Sequence, residues 1–403
     1  MTAPLRLVLV SAFPPGRRSL NEYGLHLART LAEREDVAEV VVLADRLERP
    51  APELDLGPKI RVERVWRFNS LAAAPAILRA LHRLDPDGAV WNLQTATFGD
   101  REVPAALGLL APALARALGT PGGIIAHNLI AGMDLESTQL AGSPFRQAVV
   151  RAGDALVTRA MLATDYMTVT LRGYRDLLAQ RHPGAEVHLV PHGIFDTAPR
   201  ERLPLDERPL RIVTMGKFGT YKRLETLLAA FDLLRARPGM SDLELVIGGT
   251  DHPAVPGYLE SMARMRAADG KVRFSGYVAE DDIPDFFGTA RLSVFDYAST
   301  TGSSGVLHQT ASYGALPVFP RIGDFVDLCE DEGLSGAHYE PLDAADMARS
   351  MEAALRDLDG AQAIADGNAR AAGAMPLSQV AAFHVARLRQ LRAEPCAGAP
   401  LPA

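Results

Sequence analysis

Short apolar, β-branched runs alternate with longer amphipathic ones along almost the whole chain, and this rhythm belongs to βαβ units winding a parallel sheet. Strands are predicted at 5–13, 40–43, 60–68, 88–93, 122–130, 166–171 and 187–190, with helical patterns between them over 20–35, 103–118 and 145–162. Leu20, Leu27 and Leu31 fall at helical spacing, and Ser19 followed three residues later by Glu22 reads as a capping box. The rhythm then stops. Residues 197–209 hold three prolines and six charges in thirteen positions, a composition that suits a connector better than a core. After it the rhythm restarts, with strands at 210–215, 243–247, 272–278, 292–297 and 316–319 and helices at 224–237, 258–268, 283–287, 305–313 and 347–358. With 403 residues to divide, the reading is two doubly wound α/β domains, 1–200 and 201–394, facing a cleft, and a flexible tail at 395–403.

Composition excludes several classes. Lys and Arg number 42 against 49 Asp and Glu, so a net charge of −7 gives no chain-wide reason to bind nucleic acid. Cys329 and Cys396 are too few and too far apart for a disulfide framework or a thiolate metal site, which fits a reducing compartment. The apolar run after Met1 is too short for a signal peptide, and no stretch approaches the ~18–20 apolar residues of a membrane span. The expectation is a cytoplasmic protein without a transmembrane segment.

Open α/β sheets bind ligands beyond the carboxyl ends of their strands, which leaves few loops to search. One is Gly216-Lys217-Phe218-Gly219-Thr220-Tyr221-Lys222-Arg223, where glycines allow close backbone approach and cations can neutralise a diphosphate ahead of a helix N-terminus. The bland alternative is a solvated basic turn. Another is Ser299-Thr300-Thr301-Gly302-Ser303-Ser304-Gly305-Val306-Leu307-His308-Gln309, rich in small hydroxyl residues at a helix start. It can cradle a phosphate with backbone N–H groups, or can simply be a capped turn. Acidic pairs such as Asp281-Asp282 read as caps or solvated faces, and the expectation is that no metal is held.

The second half resembles the nucleotide-sugar-binding domain of retaining glycosyltransferases of the GT-B fold, family four. Gly216-Lys217 and Lys222 stand where that family has Gly-Arg and a following Lys. Residues 309–318, Gln-Thr-Ala-Ser-Tyr-Gly-Ala-Leu-Pro-Val, are similar to the end of its Glu-x7-Glu motif, and Phe274-Ser275-Gly276 to its Phe-x-Gly strand before the base-binding turn. In this frame the two glutamates fall on Thr301 and Gln309, so neutral groups replace carboxylates that hold the donor sugar and the ribose. The resemblance implies a catalytic set of His127, Lys217 and Lys222. It implies a donor site of Gly216, Phe218, Val278, Thr301, Gly302, Ser303, Ser304, Gly305, Val306 and Gln309. On the acceptor side, Arg18 and Ser19 replace the family's Gly-Gly, and Asn92, Gln94 and Asn128 line the floor. Pro191-His192-Gly193 is similar to the family hinge, with His192 structural. The implied reaction moves a sugar from a UDP- or GDP-linked donor to a small-molecule, glycan or lipid acceptor, with that nucleotide sugar as co-substrate, no other cofactor and no metal. A silent homologue that binds a nucleotide sugar or a partner enzyme is the rival reading, drawn from the missing glutamates; a sugar-nucleotide epimerase is a second rival.

Overall fold

The computed structural model describes residues 3–52, 54–129, 153, 155–195, 201–299 and 302–393. They form two compact units. The first comprises the described residues up to His192 together with those from Leu377 onward, and the second runs from Gly193 to Pro376.

In the first unit, strands β1 (Leu5–Val10), β2 (Val37–Asp45), β3 (Ile60–Trp66), β4 (Gly88–Leu93), β5 (Gly122–Ala126), β6 (Tyr166–Val169) and β7 (Val187–Leu189) make one parallel sheet in the order β3-β2-β1-β4-β5-β6-β7. The chain starts in the middle, winds outward to β3, then crosses back to β4, so the order reverses between β1 and β4. Helices on both faces explain why the central strands are nearly continuous apolar runs rather than alternating ones: every residue of β4 and β5 is buried.

The helices of this unit are α1 (Asn21–Glu33), α2 (Ala73–Leu84), α3 (Glu102–Leu109), α4 (Ala111–Ala117) and α5 (Arg172–Arg181). Two expectations change here. The residue before α1 is Leu20, held in the left-handed region at φ 69° with no side-chain cap, so the Ser19–Glu22 capping box does not start the helix. The pattern over 103–118 is two helices rather than one, because Pro112 lies in the first turn of α4 and cannot continue α3's hydrogen-bond ladder. Half of the predicted helix over 145–162 lies outside the described residues, and within the other half 155–161 are helical; the tail 395–403 lies outside the described residues.

In the second unit, β8 (Arg211–Phe218), β9 (Glu244–Asp251), β10 (Val272–Gly276), β11 (Leu292–Val294), β12 (Leu316–Pro320) and β13 (Ala337–Tyr339) repeat the design in the order β10-β9-β8-β11-β12-β13. Around them lie α6 (Glu225–Arg235), α7 (Tyr258–Met265), α8 (Ile283–Gly288), α9 (Gly305–Tyr313), α10 (Gly323–Glu332), α11 (Ala344–Arg356) and α12 (Leu358–Gly373). Leu227, Phe231, Ile247, Val318 and Met347 belong to its main core, where α6 and α11 meet the sheet. Arg208 is buried too. Its guanidinium donates to the carbonyls of Leu203, Phe287, Ala290 and Tyr313, which ties the segment before β8 to the ends of α8 and α9.

The last helix, α13 (Leu377–Ala393), belongs to the first unit, although the sequence reading placed 377–394 in the second domain. Its apolar face of Leu377, Val380, Val385 and Leu388 was legible, but not which sheet it would cover. Tyr166 bonds His384 Nδ1 at 2.8 Å, Arg387 takes both oxygens of Glu186 at 2.6 Å each, and Leu388 crosses Gly88, so α13 is anchored to β4, β6 and β7. The boundary after His192 likewise precedes the expected one near 200.

Candidate functional site

In the second unit β8 runs three residues further than expected, so Gly216, Lys217 and Phe218 are strand rather than loop. Alternation along the strand then separates them. Phe218 is buried in the main core and cannot lend its ring to a ligand, whereas Lys217 points the other way and its charge depresses the pKa of His252 in addition to burial. The true turn is 219–222, closed by the Gly219 N–H donating to the Lys222 carbonyl at 2.9 Å. Lys222 doubles back over the end of β8. A Cβ on Gly216 would stand 3.0 Å from Lys222 Cδ and 3.6 Å from its Nζ, and a side chain there would displace the lysine. Gly249 on β9 is equally constrained: its φ is +134°, and a Cβ would fall 1.9 Å from the Gly216 carbonyl oxygen.

The turn is fastened to the segment after β11. The Ala298 N–H donates to the Tyr221 carbonyl and the Arg223 N–H to the Asp296 carbonyl, both at 2.8 Å, which makes Lys222 and Tyr297 an antiparallel bridge. The Lys222 ammonium sits 4.5 Å from the centre of the Tyr297 ring. Buried Asp296 accepts from the Leu227 N–H at 3.0 Å, so one residue caps α6 with its side chain and holds the lysine turn with its carbonyl. Sequence reasoning missed Asp296 and Tyr297; the available signal was their position just beyond a strand's carboxyl end.

A few residues on, the second candidate loop enters α9. Thr301 lies outside the described residues. Gly302 is buried and Ser304 is the N-cap, accepting from the Leu307 N–H at 3.3 Å. Gly305 and Val306 open the helix, and Gln309 is half-buried one turn on. Among the described residues, Thr220 Oγ1 in the lysine turn and Ser303 Oγ before the helix are buried without a hydrogen-bond partner. Next to Gln309 stands His308, also missed from sequence. Its Nε2 bonds Glu332 Oε2 at 2.6 Å and its Nδ1 the Ser304 carbonyl at 2.8 Å, and Glu332 raises its pKa against the opposing effect of burial. Val278 packs beside Phe286 and lines a separate groove of about 460 Å³ along β10 and α8, with Arg211 and Arg273 on its walls.

The first unit gathers its expected residues at the carboxyl ends of β1, β4 and β5. Asn92 is fully buried; it donates to Ser11 Oγ at 2.9 Å while its oxygen faces His127 Nε2 at 2.7 Å. That oxygen can only accept, so His127 carries its proton on Nε2 and Nδ1 is bare. Burial pulls the His127 pKa down to about 3, so the ring is neutral at any ordinary pH. Tyr23 packs edge-on against both His127 and His192 and donates to the His192 carbonyl at 2.9 Å. Asn128 accepts from the Thr95 N–H and the Gln94 N–H donates to Thr97 Oγ1, so these two shape the loop after β4. Arg18 stacks 3.8 Å above the Phe68 ring and pairs with Glu48 at 2.6 Å and Asp45 at 3.4 Å, next to Ser19. The arginine is thus already committed to protein partners. Among the described residues no three His, Cys, Asp or Glu side chains converge on a metal position, and no helix is long and apolar enough to cross a membrane.

Two parallel α/β sheets of seven and six strands, each with its chemistry at the strand ends, define the GT-B fold. Residues 209–357, most of the second unit, match the family described as Glycosyl transferases group 1. Over 87 residues, 21% of this chain, the sequence is 30% identical to mannosylfructose-phosphate synthase from Agrobacterium fabrum (strain C58 / ATCC 33970), a match that spans 19% of that relative's length. Sucrose-phosphate synthase from Thermosynechococcus elongatus superposes with a TM-score of 0.72 at 17% identity, covering 97% of this chain and 100% of the other. Anabaena HepE in complex with UDP-glucose superposes at 0.65 and 15% identity, covering 96% and 100%.

Proposed function

We propose that the protein is a retaining glycosyltransferase that takes a glycosyl group from a nucleoside diphosphate sugar, UDP-linked, and passes it to a hydroxylated acceptor of the sugar-phosphate class. The observation that carries this reading is the stitching of the lysine turn to the segment after β11. Two loops that are eighty residues apart in sequence become one anion-receiving face, with the Lys222 ammonium, the mouth of α9 and two unpartnered hydroxyls. As the bond from sugar to phosphate breaks, an oxocarbenium-like centre forms and the departing diphosphate gains charge. A fixed cation and preoriented N–H groups stabilise that charge, a contribution of about 3 kcal/mol per donor in comparable sites. Neutral Gln309 can accept from a ribose hydroxyl where the family has a carboxylate, at a cost of about 1 kcal/mol per hydrogen bond. In the first unit the bare Nδ1 of His127 suits a hydroxyl, which can donate to it.

The donor class is supported by the complex of HepE with UDP-glucose, and the acceptor class by the names of the two phosphate synthases. Calorimetric titration with UDP and UDP-glucose, followed by product analysis with sugar phosphates as acceptors, tests it. Binding and turnover are expected, with turnover insensitive to chelator because lysine and backbone groups carry the phosphate charge. If UDP-glucose binds but no acceptor is glycosylated, the silent homologue suggested by the two missing glutamates is the better reading.

A further inference from the structure

His308 is an unusual residue to find in the opening turn of a helix. The macrodipole there favours acids, yet α9 has no acid in its first turn and instead presents a buried imidazole. Both ring nitrogens face acceptors: the Ser304 carbonyl at 2.8 Å and Glu332 Oε2 at 2.6 Å. A carbonyl cannot donate and a neutral imidazole has one N–H, so with Glu332 ionised both contacts are made only by the imidazolium. The arrangement is closed on itself. His308 and Glu332 side chains are each 3% exposed, and Glu332 Oε1 has no hydrogen-bond partner among the described residues. The acid therefore comes from the end of α10 to hold a cation that α9 by itself would disfavour.

Resting on the diphosphate reading above, we propose that the His308–Glu332 pair positions the phosphate-holding turn, clamping the Ser304 carbonyl so that the N–H groups of 302–306 stay aimed outward, and that its cation adds to donor affinity. The pair also makes that affinity depend on pH. The charge that raises the His308 pKa comes from Glu332 at the end of α10. Cys329, near Glu332 on α10, is kept a neutral thiol, its pKa pushed up to about 12 by burial and by that carboxylate. His308's pKa lies above its ordinary value, so the cation persists to higher pH than in a free imidazole and is lost as pH rises further.

Titrating UDP into wild type, Glu332→Gln and His308→Asn from about pH 6 to about pH 9 tests the proposal, with affinities compared as ratios so that the ligand's own ionisation cancels. His308→Asn retains a donor for the Ser304 carbonyl without the charge. It should bind several-fold more weakly than wild type at the acid end and converge with it at the alkaline end. Glu332→Gln should move the fall in affinity to lower pH, and Lys222→Ala should lower affinity at all pH values without moving it. Should Glu332→Gln fail to fold, the His308→Asn ratio decides alone. Ratios that stay flat with pH overturn the role of the pair and leave the diphosphate site standing. Absence of UDP binding by wild type at every pH overturns the site and the pair together.

Discussion

The two sheets have matching topology, and each collects polar side chains at the carboxyl ends of its central strands, yet the two ends are electrostatically opposite. The first unit builds a neutral relay, from His127 through Asn92 to Ser11 and the Ala12 carbonyl, in which every proton has one direction to go. The second builds a cationic face, with Lys222 lying over an aromatic ring and His308 charged by Glu332. A neutral relay selects by direction: it can tell a hydroxyl from a group that only accepts. A cationic face selects by charge and tolerates variation in shape. The contrast shows how one sheet architecture can carry a directional polar site at one set of strand ends and a charged one at another.

Several substitutions would break or sharpen this contrast. The largest effect is expected at Arg208, where replacement by Leu strips donors from buried carbonyls at the ends of α8 and α9; unfolding of the second unit should become easier by about 3 kcal/mol or more, read by denaturant titration. Asn92→Leu should destabilise the first unit by about 2 kcal/mol, because Ser11 and His127 lose buried partners, and should leave UDP affinity unchanged. Lys222→Ala should weaken UDP binding about tenfold, ~1.4 kcal/mol, without a change in melting temperature, and by more than Lys217→Ala, whose side chain points away from Gly216. If Lys217 proves the stronger, the geometry of the cationic face is wrong. Gln309→Ala should lower UDP-glucose affinity several-fold, about 1 kcal/mol. The smallest effect belongs to Glu48→Ala, under about 1 kcal/mol in stability, because Glu48 is exposed and Arg18 keeps Asp45 and the Phe68 ring.

The pH dependence of stability should differ as well. His308 has a raised pKa in the folded state, so its contribution is fully present below the unfolded value near 6.5 and is lost as pH climbs through the folded one. The advantage of wild type over His308→Asn in denaturant titration should therefore shrink on the alkaline side. His127 should leave its mark on the acid side instead: burial lowers its folded pKa to about 3, so below the unfolded value near 6.5 the unfolded chain gains a proton that the folded ring refuses, and stability falls as pH drops.

The apolar rhythm of the sequence by itself determined the two doubly wound sheets, because burial on both faces forces continuous β-branched strands and amphipathic helices between them. It also located both loops of the second unit, since glycines, lysines and small hydroxyl residues have few uses at a strand end. Placement across long sequence distances was not legible. That α13 returns to the first unit, that Phe218 turns into the core while Lys222 folds back over Gly216, and that Tyr221 pairs with Ala298 all depend on which surfaces meet. The same holds for charge. His308 reads as an unremarkable helical residue until Glu332, 24 positions away, is brought to 2.6 Å in a buried place where an ion pair decides protonation. Local pattern records which face of an element is apolar; only packing decides which neighbour covers it and which buried proton is kept.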